Sequence, residues 1–414
     1  MPVAPGLNRA PNGANRGRKS MILEVELMKK TLLATSALVG ASLLTAPASA
    51  GTVGSADMMN VSVGGIMWFS AYVKDEDVTA NQNRGYGFTV SESEVWVNAS
   101  GKADNGMSYG LRIELNGGAA DGTAADEASV FLSGDWGRLD LGDNDDATNS
   151  MQVGAWNATK GAGGPFGGLG DLNTVFNGNG TDNLISRADW QVFTTQDATK
   201  ATYKTPNFSG FQVGVSWTPD SGESSGGAAT ADSDADGDFE NVMGLAAMYR
   251  GKVGDTSVAV SAGWETGTDE GATGAEIEDL DIMGIGASVG MGGFSVGAHY
   301  RDYGDSFLTA AQTAAGADSG SQWSLGVGYQ AGPWGISAWY LKGEKDNTNT
   351  SNANARETEV TRYGIGAGYA VAPGWSLRGE LTFNNIDNAT TAVGVGGTTD
   401  NDGKGFLLVN RFVF

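Results

Sequence analysis

The 414-residue sequence has no cysteine, only nine prolines and a single histidine, His299. Without cysteine there is no disulfide framework of the kind that holds small secreted domains together, and no thiol nucleophile. Basic residues are also few, because 25 lysines and arginines stand against 48 acids, for a formal net charge of −23. Nucleic acid and anionic membrane surfaces repel such a chain, so nucleic-acid binding is excluded.

Long apolar runs are missing as well, apart from one N-terminal segment. No other stretch approaches about 18 consecutive apolar residues, so helical membrane spans are excluded. The segment MKKTLLATSALVGASLLTAPASA at 28–50 has a basic start, a short apolar middle and an A-x-A ending. It is predicted to be a secretory signal peptide rather than an anchor. Residues 1–27 are interpreted as a mis-assigned start or an extension, and residues 51–414 as the mature domain.

What the mature sequence does contain is period-two alternation, repeated many times. In MSYGLRIELN at 107–116, apolar and polar residues alternate, and FQVGVSW at 211–217 repeats the pattern. Alternation of this kind predicts strands with one apolar and one polar face. About 16 strands are predicted, near 59–73, 87–101, 107–116, 126–134, 137–143, 199–206, 210–217, 239–250, 255–265, 279–290, 293–301, 321–330, 334–342, 357–369, 375–384 and 405–414.

The connections between these strands alternate between very short turns and long polar loops. This arrangement predicts an up-and-down antiparallel meander with no domain boundary. Such a meander could form a soluble sandwich of two sheets or a closed barrel in a membrane. The glycine-rich and charged polar face, the aromatic residues at strand ends and the even strand number favour the barrel. The predicted fold class is therefore an all-β transmembrane antiparallel up-and-down β-barrel of about 16 strands.

With the strands placed, the sequence resembles the general-diffusion porins of the Gram-negative outer membrane. The resemblance rests on VSVGGIMWFSAYV, ASVFLSGDWGRLDLGDND, YKTPNFSGFQVGVSW and the terminal Phe414, in this order. It implies a 16-stranded homotrimeric channel with short periplasmic turns and long external loops, in contact with outer-membrane lipid and lipopolysaccharide. It also implies that the third long loop, residues 144–198, folds into the lumen as a constriction. The terminal phenylalanine resembles the family's signal to the barrel-assembly machinery.

Porins of this kind set acidic residues of the inward loop across from basic residues of the barrel wall. Strand parity and nearness to the loop select the basic candidates Arg112, Arg138, Lys200 and Lys204. The acidic candidates are Asp143, Asp145, Asp146, Asp171, Asp182 and Asp189. The alternative is that the basic residues solvate the inner wall and pair with neighbours such as Glu114 or Asp140.

Two acidic segments raise the question of calcium. In DSDADGDFE, residues Asp232, Asp234 and Asp236 have the spacing of a calcium loop, but the twelfth position is Met243 and not a bidentate glutamate. An acidic surface loop is the favoured interpretation there. Asp143 and Asp145, at the base of the constriction loop, are a second possible calcium site. No cofactor is required.

The terminal strand GFLLVNRFVF is predicted to close the barrel, with Phe412 and Phe414 in lipid and Arg411 in the lumen. No motif supports an enzyme, and His299 reads as a solvated lumen residue. The predicted function is passive diffusion of small hydrophilic solutes and ions through a water-filled, weakly cation-selective channel. A substrate-specific outer-membrane channel and a soluble or surface-attached β-rich binding protein remain as alternatives.

Overall fold

The structure is a computed structural model that describes ten parts of the chain, residues 50–53, 59–77, 85–117, 125–166, 195, 197–222, 238–271, 276–347, 356–390 and 398–414. The predicted signal peptide at 28–50 and the extension before it lie outside these residues, except for Ala50. Within the described part of the chain, no helix combines the length and apolar character needed to cross a bilayer.

Almost all of the described chain is β-strand. In chain order the strands are β1 (Ala50–Val53), β2 (Asn60–Glu76), β3 (Tyr86–Lys102), β4 (Ser108–Asn116), β5 (Ala128–Gly134), β6 (Gly137–Asp143), β7 (Thr199–Lys204), β8 (Phe211–Asp220), β9 (Phe239–Val253), β10 (Thr256–Asp269), β11 (Leu280–Met291), β12 (Phe294–Asp302), β13 (Asp318–Ala331), β14 (Trp334–Asn347), β15 (Arg356–Ala372), β16 (Trp375–Thr390) and β17 (Thr398–Val413). Within the described residues four short helical segments accompany them, Ala147–Ser150, Ala155–Asn157, Gly164–Phe166 and Ala310–Ala314.

Strands β2 to β17 form a closed barrel in which each strand pairs antiparallel with the next. The last strand returns to pair with the first, with Phe412 in register with Met67. Beyond this register the amide of Phe414 donates to the Gly65 carbonyl and the Gly65 amide donates to the Phe414 carbonyl, both at 3.0 Å. The predicted barrel and its closing strand are confirmed, whereas the four-residue strand β1, paired with β2, was not predicted.

The apolar faces of the strands point outward. On β8, Phe211, Val213 and Trp217 are 62%, 45% and 46% exposed, while the alternate residues Ser216 and Thr218 are buried. A soluble sandwich would bury the apolar set instead. The outward apolar face matches a barrel surrounded by lipid, so the sandwich is excluded.

Aromatic residues lie near both ends of the strands. At the short-turn end, Trp334 packs on Tyr369 with ring centres 4.2 Å apart. Toward the long-loop end, Trp323 packs on Tyr340 at 5.0 Å. Two aromatic belts at these levels are the expected anchors at the two lipid–water interfaces.

A β-bulge in β3 decides which acids face the lumen. Trp68 of β2 pairs with Glu92 while the next residue, Phe69, pairs with Val90, so Ser91 is an extra residue. Before the bulge Val90 points outward and is 48% exposed. Because one extra residue reverses the parity of a strand, Glu92 points to the inner face with Trp68. The bulge therefore places Glu94 and Trp96 on the same inner face as Glu92.

Candidate functional site

The first part of the loop that follows β6 lies along the inner wall of the barrel. Three of its backbone amides donate to serine hydroxyls on inward-facing strand positions. Ala147 donates to Ser216 Oγ at 3.3 Å, Val153 to Ser261 Oγ at 2.9 Å and Lys160 to Ser337 Oγ at 2.8 Å. These serines belong to β8, β10 and β14, so the loop crosses at least seven of the sixteen strands of the wall.

A row of inward-facing glycines lets the loop backbone touch the wall. A Cβ atom on Gly286 would lie only 1.7 Å from the Val153 carbonyl oxygen. Cβ atoms on Gly297, Gly326, Gly328 and Gly368 would come within 2.0–2.5 Å of carbonyl oxygens of the loop. We call these five positions, on β11, β12, β13 and β15, the glycine row. Any other residue there would push the loop away from the wall.

The far end of this segment is fixed by one carboxylate. Glu380 of β16 accepts hydrogen bonds from the Gly164 amide at 2.8 and 3.0 Å, and from the Gly163 amide at 3.3 Å. Next to these glycines, Ala162 packs against Leu407 and Val409 of β17. The loop is therefore attached to the strands that close the barrel.

The near end of the loop is fixed by Asp146. Its Oδ1 caps the helix Ala147–Ser150 by accepting from the Asn149 amide and the Thr148 hydroxyl, both at 2.6 Å. Its Oδ2 accepts from the Thr195 hydroxyl at 2.9 Å. Such an N-cap satisfies amides that the helix cannot pair itself. Asp146 is thus a structural residue that joins the beginning of the loop to its return.

Around the base of the loop the structure brings together seven carboxylates, which we call the acidic cluster. Its members are Glu92, Glu94, Glu114, Asp126, Glu127, Asp145 and Asp197. Within it, oxygens of Glu94, Glu114 and Asp126 lie within 4.8 Å of one another, as do those of Glu127, Asp145 and Asp197. The cluster lies at the long-loop end of β3 to β7.

Three carboxylates of this cluster that lie outside the strands, those of Glu127, Asp145 and Asp197, have raised pKa values. Burial raises the pKa of Glu127 to about 9, and the charges of Asp145, Glu114 and Asp197 add to the shift. Burial and the charge of Asp146 raise the pKa of Asp145 to about 6. Burial, followed by the charges of Asp126 and Asp145, likewise raises the pKa of Asp197 to about 6. Like charges held this close cannot all ionise together at neutral pH.

Three of the four basic residues expected on the constriction wall have a partner in direct contact, and the fourth, Lys204, is attracted by nearby acids. Arg112 pairs with Glu114, and its guanidinium lies 5.1 Å from the ring centre of Trp96. Arg138 pairs with Asp140 at 2.6 Å and lies 4.1 Å from the ring centre of Phe131. Lys200 Nζ donates to the carbonyl of Ala198 at 2.6 Å and to that of Asn144. Lys204 is attracted by Asp140 and Asp145.

Three of the six expected acids, Asp143, Asp145 and Asp146, lie in the described part of the chain. Asp145 joins the acidic cluster, whereas Asp143 accepts from the Thr199 hydroxyl at 2.5 Å. Asp171, Asp182 and Asp189 lie outside the described residues, as do the calcium candidates Asp232, Asp234 and Asp236.

The geometry of the barrel and its inward loop agrees with a family comparison. The family model described as Gram-negative porin matches residues 34–389. The chain belongs to the Gram-negative porin family. It is therefore a channel protein of the outer membrane. No protein of curated function matches this porin significantly in sequence.

Solved structures match the fold of the porin over most of its length. An anion-selective porin from Comamonas acidovorans is 17% identical, with a TM-score of 0.57, and the match covers 86% of this chain and 100% of that one. OmpT, an outer membrane protein of Vibrio cholerae, is 14% identical, with a TM-score of 0.55 and coverage of 88% and 100%. A trimer form of OmpT is 13% identical, with a TM-score of 0.54 and coverage of 86% and 100%.

Several residues of the porin's site were not found by sequence reasoning. Glu127 precedes β5 and carries no motif, and Glu380 is more than 200 residues from the amides that it holds. The glycine row was visible as glycines on the polar parity of four strands. Glycines on this parity suggest a lining for the water-filled lumen, whereas in the structure they mark the places where the loop backbone contacts the wall.

Proposed function

We propose that this outer-membrane porin is a general-diffusion channel for small hydrophilic solutes and ions, with weak cation selectivity. The acidic cluster carries the proposal, because ions entering from the long-loop side pass beside it. Fixed charge of one sign at a narrow, water-filled passage raises the local concentration of counter-ions. The family and the fold are those of channels that catalyse no reaction, which supports the expectation that the protein is not an enzyme.

Cation selectivity is tested by the reversal potential across a planar bilayer with a KCl gradient. The purified full-length protein is expected to give a potassium-to-chloride permeability ratio modestly above one. Removing charge from the cluster with Asp145→Asn and Asp197→Asn should lower this ratio. An unmodified channel that prefers chloride would contradict the proposed selectivity.

General diffusion is separated from substrate-specific transport by liposome swelling. For a general channel, swelling rates fall smoothly with solute size among neutral sugars of graded mass. A specific channel would admit one solute well above its size class.

We propose further that the porin is a homotrimer, with the wall formed by its shortest strands in the interface. Strands β5, β6 and β7 have 7, 7 and 6 residues, whereas β2, β3 and β15 have 17 each. A tilted strand needs about 9–11 residues to cross the hydrocarbon core. Short strands facing lipid would expose polar rims to hydrocarbon, and contact with a second copy removes that mismatch.

The absence of native cysteine makes this interface testable with single thiols. Val130 on β5 and Val289 on β11 are both outward and similarly exposed, at 49% and 46%. A lipid-soluble maleimide is expected to label Val289→Cys much faster than Val130→Cys in the assembled protein. Equal labelling, or current that does not close in three equal steps, would contradict the trimer.

Export by the signal peptide at 28–50, contact with lipopolysaccharide and recognition by the barrel-assembly machinery also remain proposals. Calcium binding at Asp143 and Asp145 stays a prediction, to which Glu127 and Asp197 are added because their oxygens lie beside Asp145. Hard cations with oxygen ligands suit such a group. Thermal unfolding that is identical with calcium and with a chelator would contradict it.

A further inference from the structure

Three basic side chains meet on the inner wall at the short-turn end of the barrel. Arg411 of β17 is in register with Ser376 of β16, and Arg378 is in register with Val409. The two arginines are therefore diagonal neighbours on the same inward face, about 7–8 Å apart at this spacing. The third member is Lys160 of the inward loop.

The loop places Lys160 beside Arg378. The Lys160 carbonyl oxygen lies against Gly368, whose added Cβ would be 2.5 Å away, and Gly368 is the register partner of Arg378. Ser337 holds the Lys160 amide in this position. Burial and the positive charge of Arg378 lower the pKa of Lys160. The three cations thus form one group, which we call the basic group.

Unlike Arg112 and Arg138, these three residues make no direct contact with an acid among the described residues. Neither an ion pair nor a hydrogen bond links their charged ends to any residue that the structure describes. Glu380 attracts Arg378 electrostatically, but its carboxylate accepts hydrogen bonds from the amides of Gly163 and Gly164 rather than from the arginine. By contrast, Arg112 and Arg138 each pair with a carboxylate two residues away.

The aromatic ring of Trp68 orients one of the arginines. The Arg411 guanidinium lies 5.8 Å from the centre of this ring. A cation over a ring face keeps the N–H groups at its edge available to another acceptor. The Ser376 hydroxyl, on the same face and opposite Arg411, offers a further donor.

Three neighbouring cations without a direct ion pair, at a partly dehydrated wall, attract an anion with several oxygens. We propose that Lys160, Arg378 and Arg411 form a binding site for small oxyanions, such as phosphate or carboxylates, on the short-turn side of the inward loop. Arginine forks bind two oxygens of such an anion at once, and the lysine adds a point charge. The proposal rests on the proposed function, because the anion reaches the site through the lumen.

This site would give the porin two charge zones of opposite sign. The acidic cluster lies at the long-loop end of β3 to β7, and the basic group lies at the short-turn end of β15 to β17. Cations are favoured at the first zone, while anions that pass it are retained at the second. Transient retention of oxyanions is a property that neither size exclusion nor overall net charge supplies.

The test uses single-channel recording with inorganic phosphate as the probe. Full-length protein is reconstituted in planar bilayers in KCl, and potassium phosphate is added at pH 7.5 with ionic strength held constant. Phosphate is expected to reduce the conductance in a saturable way. The double variant Arg378→Gln, Arg411→Gln should raise the half-saturating phosphate concentration by about tenfold. This is the loss of affinity expected when charge-assisted bidentate contacts are removed.

Two further variants make the result specific. Lys252→Gln, at an exposed position near the short turn after β9, removes one positive charge outside the basic group and should leave the phosphate effect unchanged. Lys160→Gln changes the loop and leaves the strands intact, so it tests the site even where the double arginine variant fails to fold. Heat-modifiable migration on gels reports folding of each variant.

The outcomes separate this inference from the proposed function. Protein that inserts but passes no current contradicts the diffusion channel. Protein that conducts but shows no saturation with phosphate contradicts the anion site alone. Saturation that is equal in the unmodified protein, in Lys160→Gln and in the double variant would also overturn the assignment to these three residues.

Discussion

The glycine row predicts that a single methyl group should displace the inward loop. In Gly286→Ala the new Cβ would lie 1.7 Å from the Val153 carbonyl oxygen, and real Cβ contacts essentially never fall below 3.0 Å. The oxygen therefore has to retreat by at least about 1.3 Å toward the lumen. The strand cannot move instead, because β11 is paired on both sides, with β10 and β12.

The energetic cost follows from the contacts that are lost. Overpacking of a tight contact costs about 1–3 kcal/mol, and the hydrogen bond from the Val153 amide to Ser261 adds about 0.5–1.5 kcal/mol if it breaks. We expect Gly286→Ala to lower the free energy of unfolding by about 2–4 kcal/mol. Because the loop moves away from the wall, the single-channel conductance should also fall.

Gly284→Ala is the matched control, two residues away on the same strand and the same face. A Cβ there has His299 Nε2 as its nearest neighbour, at an ordinary contact distance of 3.4 Å. Its stability should stay within about 0.5 kcal/mol of the unmodified protein, and its conductance should not change. Urea unfolding in detergent and planar-bilayer recording measure both quantities. If Gly286→Ala behaves like Gly284→Ala, the loop does not rest on the wall as described.

Three other predictions concern the charges of the inward loop, the Glu380 carboxylate that holds this loop, and the pair of strands that closes the barrel. Asp145 and Asp197 have pKa values of about 6, so they are mostly neutral at pH 5 and mostly ionised at pH 7. The potassium-to-chloride permeability ratio should therefore rise over this interval, and Asp145→Asn with Asp197→Asn should flatten the rise. Glu380→Gln keeps the shape of the anchor but weakens its bonds to the loop amides, so current noise should increase while the gel mobility of the folded barrel stays unchanged. Deleting Phe414 removes two backbone hydrogen bonds at the seam, and the fraction of heat-modifiable, folded barrel should fall.

The strands were predictable because each carries its own signal. Alternation places side chains on two faces regardless of what the strand pairs with, so β8 and β13 could be read from short windows. All sixteen barrel strands were predicted, although β14, β16 and β17 extend five to seven residues further at their long-loop ends than expected. The bulge at Ser91 was harder, because it leaves only a change of parity between Val90 and Trp96 as a trace.

The site was less predictable because its contacts join distant parts of the chain. Nothing near Glu380 in the sequence marks it as the partner of Gly164, and a glycine facing a loop looks the same as a glycine facing water. The sequence offered Glu114 as a partner of Arg112, but charge alone could not choose this pair over a contact with the loop acids, nor show that Arg378 forms no ion pair. These differences arise from strand register and from the path of the loop.

The inward loop connects the two charge zones through one continuous segment of backbone. Asp145 at its start belongs to the acidic cluster, Lys160 belongs to the basic group, and Val153 lies about midway between them on the glycine row. A loop displaced at Val153 cannot leave both ends unchanged, because only seven or eight residues separate it from each. Gly286→Ala is therefore expected to alter ion selectivity and the phosphate effect together with conductance. The arginine variants, which leave the loop in place, should change the phosphate effect and keep the stability of the barrel.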